Sequence, residues 1–503
     1  MYLMGVDLGT SSLKVLIVDA SGHVLGSGRK RYQFDMPVNG FAEQWPDVWW
    51  DACCDASQQA LREADVPANA ISAIGISGQM HGLVALDAEM RPLRPAILHC
   101  DSRSAAQVEE IHRQMRREEI AQWIRNPINS GFWLPSLLWM REHEPELYAK
   151  IRRLALPKDY LRYKMTGEYA TDYSDASATL MFDVENLCWS RQVLERFDIP
   201  ADILPEPDES FCVAGRITAA AAAAMGVAEG TKVVYGGGDQ NMQAIGNGAI
   251  SDGISTITIG SSGQICFPIT HLVDNTELRC NLFCGYRKKL WIVMGATLNA
   301  GMCYQWLLDI LGCACWEDLN RLAEKVQPGS GGLLFLPFFT GERYLANANL
   351  SGAFMGLNYA TSRGQLARAV MEGVVYALRD CLKLLQAMGL NTREMIASGG
   401  GARSAEWLSI QADILNKPLR LSCNEEQAAL GACIVAGVGA GIYASVEEGC
   451  NAIIRYSDRV VEPDPRRHEV YQAYHALFDQ ALVSQQDVIE KLTLLGRQET
   501  VMD

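Results

Sequence analysis

The chain has 503 residues, 49% of them hydrophobic and 20% charged, a composition that supports globular packing and, at this length, two domains. A net charge of −15 excludes the basic footprint that a nucleic-acid surface needs, although local backbone N–H groups can still hold an anion. The fifteen cysteines contain no C-x-x-C and no matched ligand pairs, which argues against zinc and for free thiols in a reducing cytosol.

The opening MYLMGVDLGT has neither a basic n-region nor an apolar h-region, so no signal peptide is expected and the cytoplasm is the expected compartment. Residues 2–6 are apolar and run into Asp7-Leu8-Gly9-Thr10-Ser11-Ser12, after which residues 13–18 are apolar again. This pattern predicts a β-hairpin whose connection is rich in glycine and hydroxyls. Residues 73–77 predict a strand ending in Gly78-Gln79-Met80-His81-Gly82, and residues 134–143 a helix. Residues 232–235 predict a short strand ending in Gly236-Gly237-Gly238-Asp239.

At mid-chain the opening pattern returns. Residues 255–259 are apolar and alternate, Gly260-Ser261-Ser262-Gly263 forms a turn, and residues 264–268 form the returning strand. Gly9 and Gly260 lie 251 residues apart, so the recurrence predicts two similar domains, each with one phosphate-facing hairpin. Further on come a helix over 365–388, a strand over 395–397 running into Gly399-Gly400-Gly401-Ala402, and a helix over 405–415. Residues 428–445 are interrupted by glycines and predict a buried helix and turn rather than a membrane span. Residues 466–495 carry apolar positions at helical spacing and predict an amphipathic capping helix. Strands and helices mixed through both halves predict an α/β class, with domains over 1–245 and 246–503.

Four strands thus end in loops rich in glycine or hydroxyls, and two of these strand ends carry an aspartate, Asp7 and Asp239. Glycine lets backbone N–H groups approach phosphate oxygens, and a neighbouring carboxylate can hold a divalent cation through water. Neither G-x-x-x-x-G-K-[ST] nor G-x-G-x-x-G occurs, which excludes P-loop and Rossmann readings. Asp239 also suits a simpler task, capping a helix begun by residues 240–245.

In order, GVDLGTSSLKVLIVD, ISGQMHG, LPKDYLRYKMTGE, GGGDQ, IGSSG, GER and GGGARS resemble the FGGY carbohydrate kinases over about residues 1–480. The resemblance implies two ribonuclease-H-like domains of the actin/hexokinase type around a central cleft, with sugar and ATP as partners and Mg2+ as cofactor. It implies phosphorylation of a sugar primary hydroxyl, and the Q-M-H-G loop favours a ketopentose, D-xylulose, over glycerol or gluconate. Asp239 would be the general base, and Asp7 the metal-linked carboxylate, acting through water. Met80, His81, Asp101 and Gln240 would contact the sugar. Thr10, Ser11 and Ser12 would form the first phosphate turn, Gly260, Ser261 and Ser262 the second, and Gly400, Gly401 and Ser404 the adenosine-side loop. Gln240, His99-Cys100 and Tyr344-Leu345 depart from the family pattern, which leaves another ketose or an alditol open as substrate. A sugar- or nucleotide-binding regulator without catalysis is the alternative of another class, and the sequence leaves a homodimer open.

Overall fold

The computed structural model describes residues 1–500, with side chains to Gly496. Two mixed sheets share one plan. In the first, β1 (Tyr2–Leu8), β2 (Ser12–Asp19) and β3 (Val24–Arg31) form an antiparallel meander. Next to β1 lies β4 (Ile71–Gly78), parallel to it. With β5 (Val213–Arg216) and β6 (Lys232–Val234) the order is β5-β6-β4-β1-β2-β3, β6 parallel to β4 and β5 antiparallel at the edge.

The second sheet contains β7 (Ile254–Ile259), β8 (Gly263–Ile269), β9 (Asn281–Cys284) and β10 (Trp291–Thr297). It is completed by β11 (Glu394–Ser398), β12 (Leu419–Ser422) and β13 (Tyr456–Val461), in the order β9-β10-β8-β7-β11-β12-β13. Here too an antiparallel meander, β10-β8-β7, is followed by two parallel strands and an antiparallel edge. The recurrence seen between the two hairpins is therefore a recurrence of whole-sheet topology.

Both faces of each sheet are covered, which is why β1 reads as an almost continuous apolar run with Leu3, Met4, Val6 and Leu8 buried. The helices that position the site are α1 (Pro46–Ala64), α2 (Pro157–Thr166), α3 (Tyr173–Ser177), α4 (Asp239–Gly246), α5 (Arg363–Ala387) and α6 (Gln427–Ala440). The expected capping helix runs over Pro465–Thr500.

Helix α6 comes from the second half of the chain but packs on the first sheet. Glycine makes that approach possible: a Cβ on Gly5 or Gly75 would sit 2.1 or 1.9 Å from the carbonyl oxygens of Ala429 and Ala432. On its other side α6 meets α4, where a Cβ on Gly246 would lie 1.8 Å from the Gln427 carbonyl oxygen. Helix α4 in turn packs Ala244 against Cys266 and Ile292 of the second sheet. The helix that begins with Asp239 is thus wedged between the two halves of the molecule.

All fifteen cysteines are free thiols, eight of them buried. Among the described residues no helix is long and apolar enough to cross a membrane.

Candidate active site

Register places the two aspartates. Asp7 pairs across β1 with Ser77 of β4 and Lys14 of β2, and the Ser77 hydroxyl donates to its Oδ1 at 2.9 Å. Lys14 turns to Glu426, at the start of α6, at 2.5 Å. Gly236 adopts φ +71°, and Gly237–Gly238 then pair with Ser77 and Gly78, which delivers Asp239 to the same strand ends as Asp7. Gly238 holds the cap position of α4 and Asp239 makes no capping bond, so the capping alternative does not hold. Both carboxyls retain some exposure. Asp239 is pushed up to about 7, mainly by desolvation and then by the charge of Asp7, with the main-chain and side-chain N–H groups of Gln240 opposing. Desolvation also raises Asp7, against the pull of Ser77 and Lys14, and Glu426 adds to the rise.

Beside Asp239 lies the Gln79-Met80-His81 loop. Met80 is buried against Gly238, where a Cβ would meet Met80 Cγ at 2.7 Å. His81 takes φ +71°, stacks on Phe132 with ring centroids 3.8 Å apart, and has Nδ1 2.8 Å from the Ala178 carbonyl oxygen. Desolvation lowers its pKa to about 3, so the ring is neutral. With Nδ1–H donating to Ala178, Nε2 remains as an acceptor. Gln240 carries its Oε1 to Gln264 Nε2 of β8.

Asp101 is placed differently from expectation. Its carboxylate accepts from the main-chain N–H groups of Ala42 at 2.6 Å and Arg103 at 2.9 Å, and from Arg103 Nη2 at 2.7 Å. The side chain has no exposed surface. Arg103 also pairs with Glu43 at 2.7 Å, so the enclosed Asp101 carboxylate holds this loop from within.

On the second sheet, Gly260, Ser261, Gly400 and Gly401 converge on a cavity of 210 Å3 whose wall is completed by Met302, Gln305 and Trp316. The Gly260 N–H donates to the Ser262 carbonyl at 2.9 Å, closing the turn, and Ser262 is exposed. Ser404 does not line the cavity. It caps the helix Ala405–Leu415, accepting from the Trp407 N–H at 3.2 Å. In the first hairpin, the Thr10 carbonyl accepts from Gln44, and Ser12 Oγ lies 3.4 Å from Arg29 Nη2. Ser11 lines a separate, open cavity of 540 Å3 with Arg29 and Arg31.

Sequence reasoning passed over three features. Gln264 was visible only as a polar residue in an apolar strand. Arg343, in the G-E-R segment, is exposed, and its charge acts on both His81 and His99. Lys158, Asp159, Arg162, Asp172 and Asp175 form a wholly buried ionic cluster beneath the Asp239 loop. A further group, Asp380, His475 and Asp479, has a cation-binding geometry, but Lys383 Nζ already lies among all three.

Models of the N-terminal and C-terminal domains of the FGGY family of carbohydrate kinases match residues 2–246 and 256–440. The chain belongs to the FGGY family of carbohydrate kinases. Its two α/β domains are those of a sugar kinase of the actin/hexokinase type. This kinase is 35% identical to the xylulose kinase of Staphylococcus epidermidis over 95% of both chains. It is 33% identical to that of Escherichia coli over 95% of its own length and 98% of the other's. The solved structure of xylulose kinase from Rhodospirillum rubrum matches with a TM-score of 0.89 at 27% identity, over 97% of this chain and 100% of that one.

Proposed function

We propose that this carbohydrate kinase transfers the γ-phosphoryl group of ATP to the primary hydroxyl of D-xylulose, giving D-xylulose 5-phosphate. The observation that carries the reading is Asp239: a carboxyl with proton affinity near neutrality, beside a second carboxyl and at the start of the helix that packs Ala244 on the second sheet. A base near pH 7 is matched to removing a hydroxyl proton as the new O–P bond forms. The relatives named xylulose kinase, similar over 95% of the chain, support the ketopentose.

In this reading residues 1–245 hold the sugar and the base, and residues 246–503 hold the nucleotide. Met80 shapes the sugar site, and the neutral His81 accepts from a sugar hydroxyl at Nε2. Gly260, Ser261 and Ser262 face the phosphates with Thr10, Ser11 and Ser12, while Gly400 and Gly401 form the adenosine-side wall that Ser404 orients through its cap. The neighbouring carboxyls of Asp7 and Asp239, both with raised proton affinity, are a donor set that fits Mg2+, and Asp7, oriented by the Ser77 hydroxyl, would hold its water shell. When bound, Mg2+ supplies neutralisation of the β- and γ-phosphate charge. The free thiols support a reducing cytoplasm as the site of action.

The test is ADP release over a panel of ketoses and alditols. D-xylulose is expected to show the highest kcat/KM. A ketose of other configuration or an alditol outranking it by tenfold would move the substrate assignment and leave the kinase chemistry standing.

A further inference from the structure

We propose that Phe132 is a positioning residue for sugar binding: together with Phe283 of the second sheet it clamps the His81 ring so that Nε2 is presented to a sugar hydroxyl. The proposal rests on His81 being a sugar contact.

Phe132 and Phe283 are both buried, and they reach His81 from different halves of the molecule. Phe132 stands at the start of the helix Trp133–His143, its ring stacked on the imidazole at 3.8 Å with 28° between the planes. Phe283, in β9, lies 5.8 Å from the same ring at 49°. Both aromatics are anchored. The Trp133 indole N–H donates to the Gly82 carbonyl at 2.8 Å, and the Leu134 N–H to the Thr179 carbonyl at 3.2 Å. These bonds tie the helix start to the residue after His81 and to the residue after Ala178. In β9, Leu282 exchanges two hydrogen bonds with the Asn126 amide, at 2.7 and 2.8 Å, and the Cys284 N–H donates to the Ser177 hydroxyl at 2.9 Å. The residues on either side of Phe283 are thus held by side chains of the first half.

A carbonyl oxygen only accepts, so the 2.8 Å contact with Ala178 requires the proton on Nδ1 and leaves Nε2 as the acceptor. Half a turn about Cβ–Cγ would set carbon against Ala178 and carbon where Nε2 had been. One hydrogen bond at one ring edge leaves the ring able to tilt about it, whereas a stacked face fixes the ring plane. His81 also holds a left-handed backbone, φ +71°, which residues other than glycine adopt reluctantly and which persists where the surroundings fix the residue. Filling the core at position 132 needs only an apolar side chain. Holding an imidazole plane needs a flat one, and the clamp takes one such face from each half of the molecule.

Leucine keeps apolar bulk and loses the flat face. Phe132→Leu should raise KM for D-xylulose roughly tenfold, the scale of one misdirected hydrogen bond, with kcat and KM for ATP changing less than about twofold. Phe283→Leu should act in the same direction. In a His81→Ala background, Phe132→Leu should move KM for D-xylulose by less than about twofold, because its effect runs through the imidazole. A tenfold rise in that background as well, or equal changes in kcat and in KM for both substrates, would overturn the clamp. Should Phe132→Leu not fold, the same cycle with Phe283→Leu decides. The His81→Ala single variant separates the two claims. An unchanged KM for D-xylulose there removes His81 from the sugar site and the clamp with it, whereas a raised KM with neutral Phe132→Leu and Phe283→Leu removes only the clamp.

Discussion

The Gly238 main-chain N–H donates to the Ser174 hydroxyl at 3.0 Å, one residue before Asp239. Ser174 Oγ in turn donates to Asp172 at 2.5 Å, and Asp172 pairs with Lys158 Nζ at 2.8 Å. Lys158 also reaches Asp159 at 2.5 Å and Asp175 at 3.3 Å, and Arg162 pairs with Asp159 at 2.9 Å. The backbone that carries the proposed base is therefore pinned from below by a buried ionic cluster.

That cluster holds two cations and three carboxyls, all buried, and desolvation raises Asp175 well above the usual carboxyl range, which favours its protonated form. Lys158→Met strands Asp172 without its cation and leaves Asp159 with Arg162 alone, and the expected loss is about 3–5 kcal/mol. Asp175→Asn mimics the protonated acid and should cost about 1 kcal/mol or less. Denaturant unfolding of the two variants is the check. Equal losses would mean that Lys158 is not what balances the cluster.

Asp239→Asn removes the proton acceptor while keeping the shape of the side chain. Turnover should fall about 10²–10⁴-fold, with ATP affinity changed by no more than about twofold. Single-turnover kinetics and nucleotide titration measure the two separately, and near-normal turnover would remove the role.

Asp7→Ala should weaken use of Mg-ATP far more than sugar binding, because its carboxylate faces the cation's water shell in the proposed site. Titrating sugar and nucleotide independently tests this. A collapse of sugar affinity with intact nucleotide handling would transfer Asp7 to the sugar site.

The pH dependence has opposite signs for activity and stability. Asp239 must be ionised to accept a proton, so kcat should rise as pH passes through about 7. For stability, the folded protein holds this proton more tightly than the unfolded chain, whose carboxyl titrates near 3.8. The ligand-free fold should therefore lose stability as pH rises from about 4 to about 7 and level off above that. Glu342, buried and also near 7, contributes in the same direction. Thermal melts in chelator should show this decline, and Asp239→Asn should make it shallower. A decline of unchanged slope would mean that Asp239 is not the group titrating.

Much of this was legible locally. The hairpins read at residues 2–6 with 13–18, and at 255–259 with 264–268, appear as β1–β2 and β7–β8, each strand a residue or two longer than read. The helices expected at 134–143, 365–388 and 405–415 appear as Trp133–His143, Arg363–Ala387 and Ala405–Leu415. The spacing of apolar residues, the glycines at strand ends and the caps are decided by neighbours a few residues away, so the sequence states them directly. The resemblance carried by those same loops extended the reading to a carbohydrate kinase.

Side-chain direction and partners across long separations were not legible. Asp101 was chosen by its position beside a loop, and only the folded structure shows its carboxylate enclosed by Arg103 and the Ala42 N–H. Asp239 was open to a capping role until Gly238 was seen to occupy the cap. That the Gln240 amide oxygen meets Gln264 of the other sheet was visible only in the folded structure. Helix α6, 352 residues after Gly75, lies on the first sheet because two strand glycines leave room for its backbone, which no local pattern encodes. The sequence by itself determined the elements, the repeated hairpins and the family. The tertiary structure alone decided which polar groups meet, because a hydrogen bond or ion pair depends on ångström-scale distance and angle that are set only when the two sheets pack.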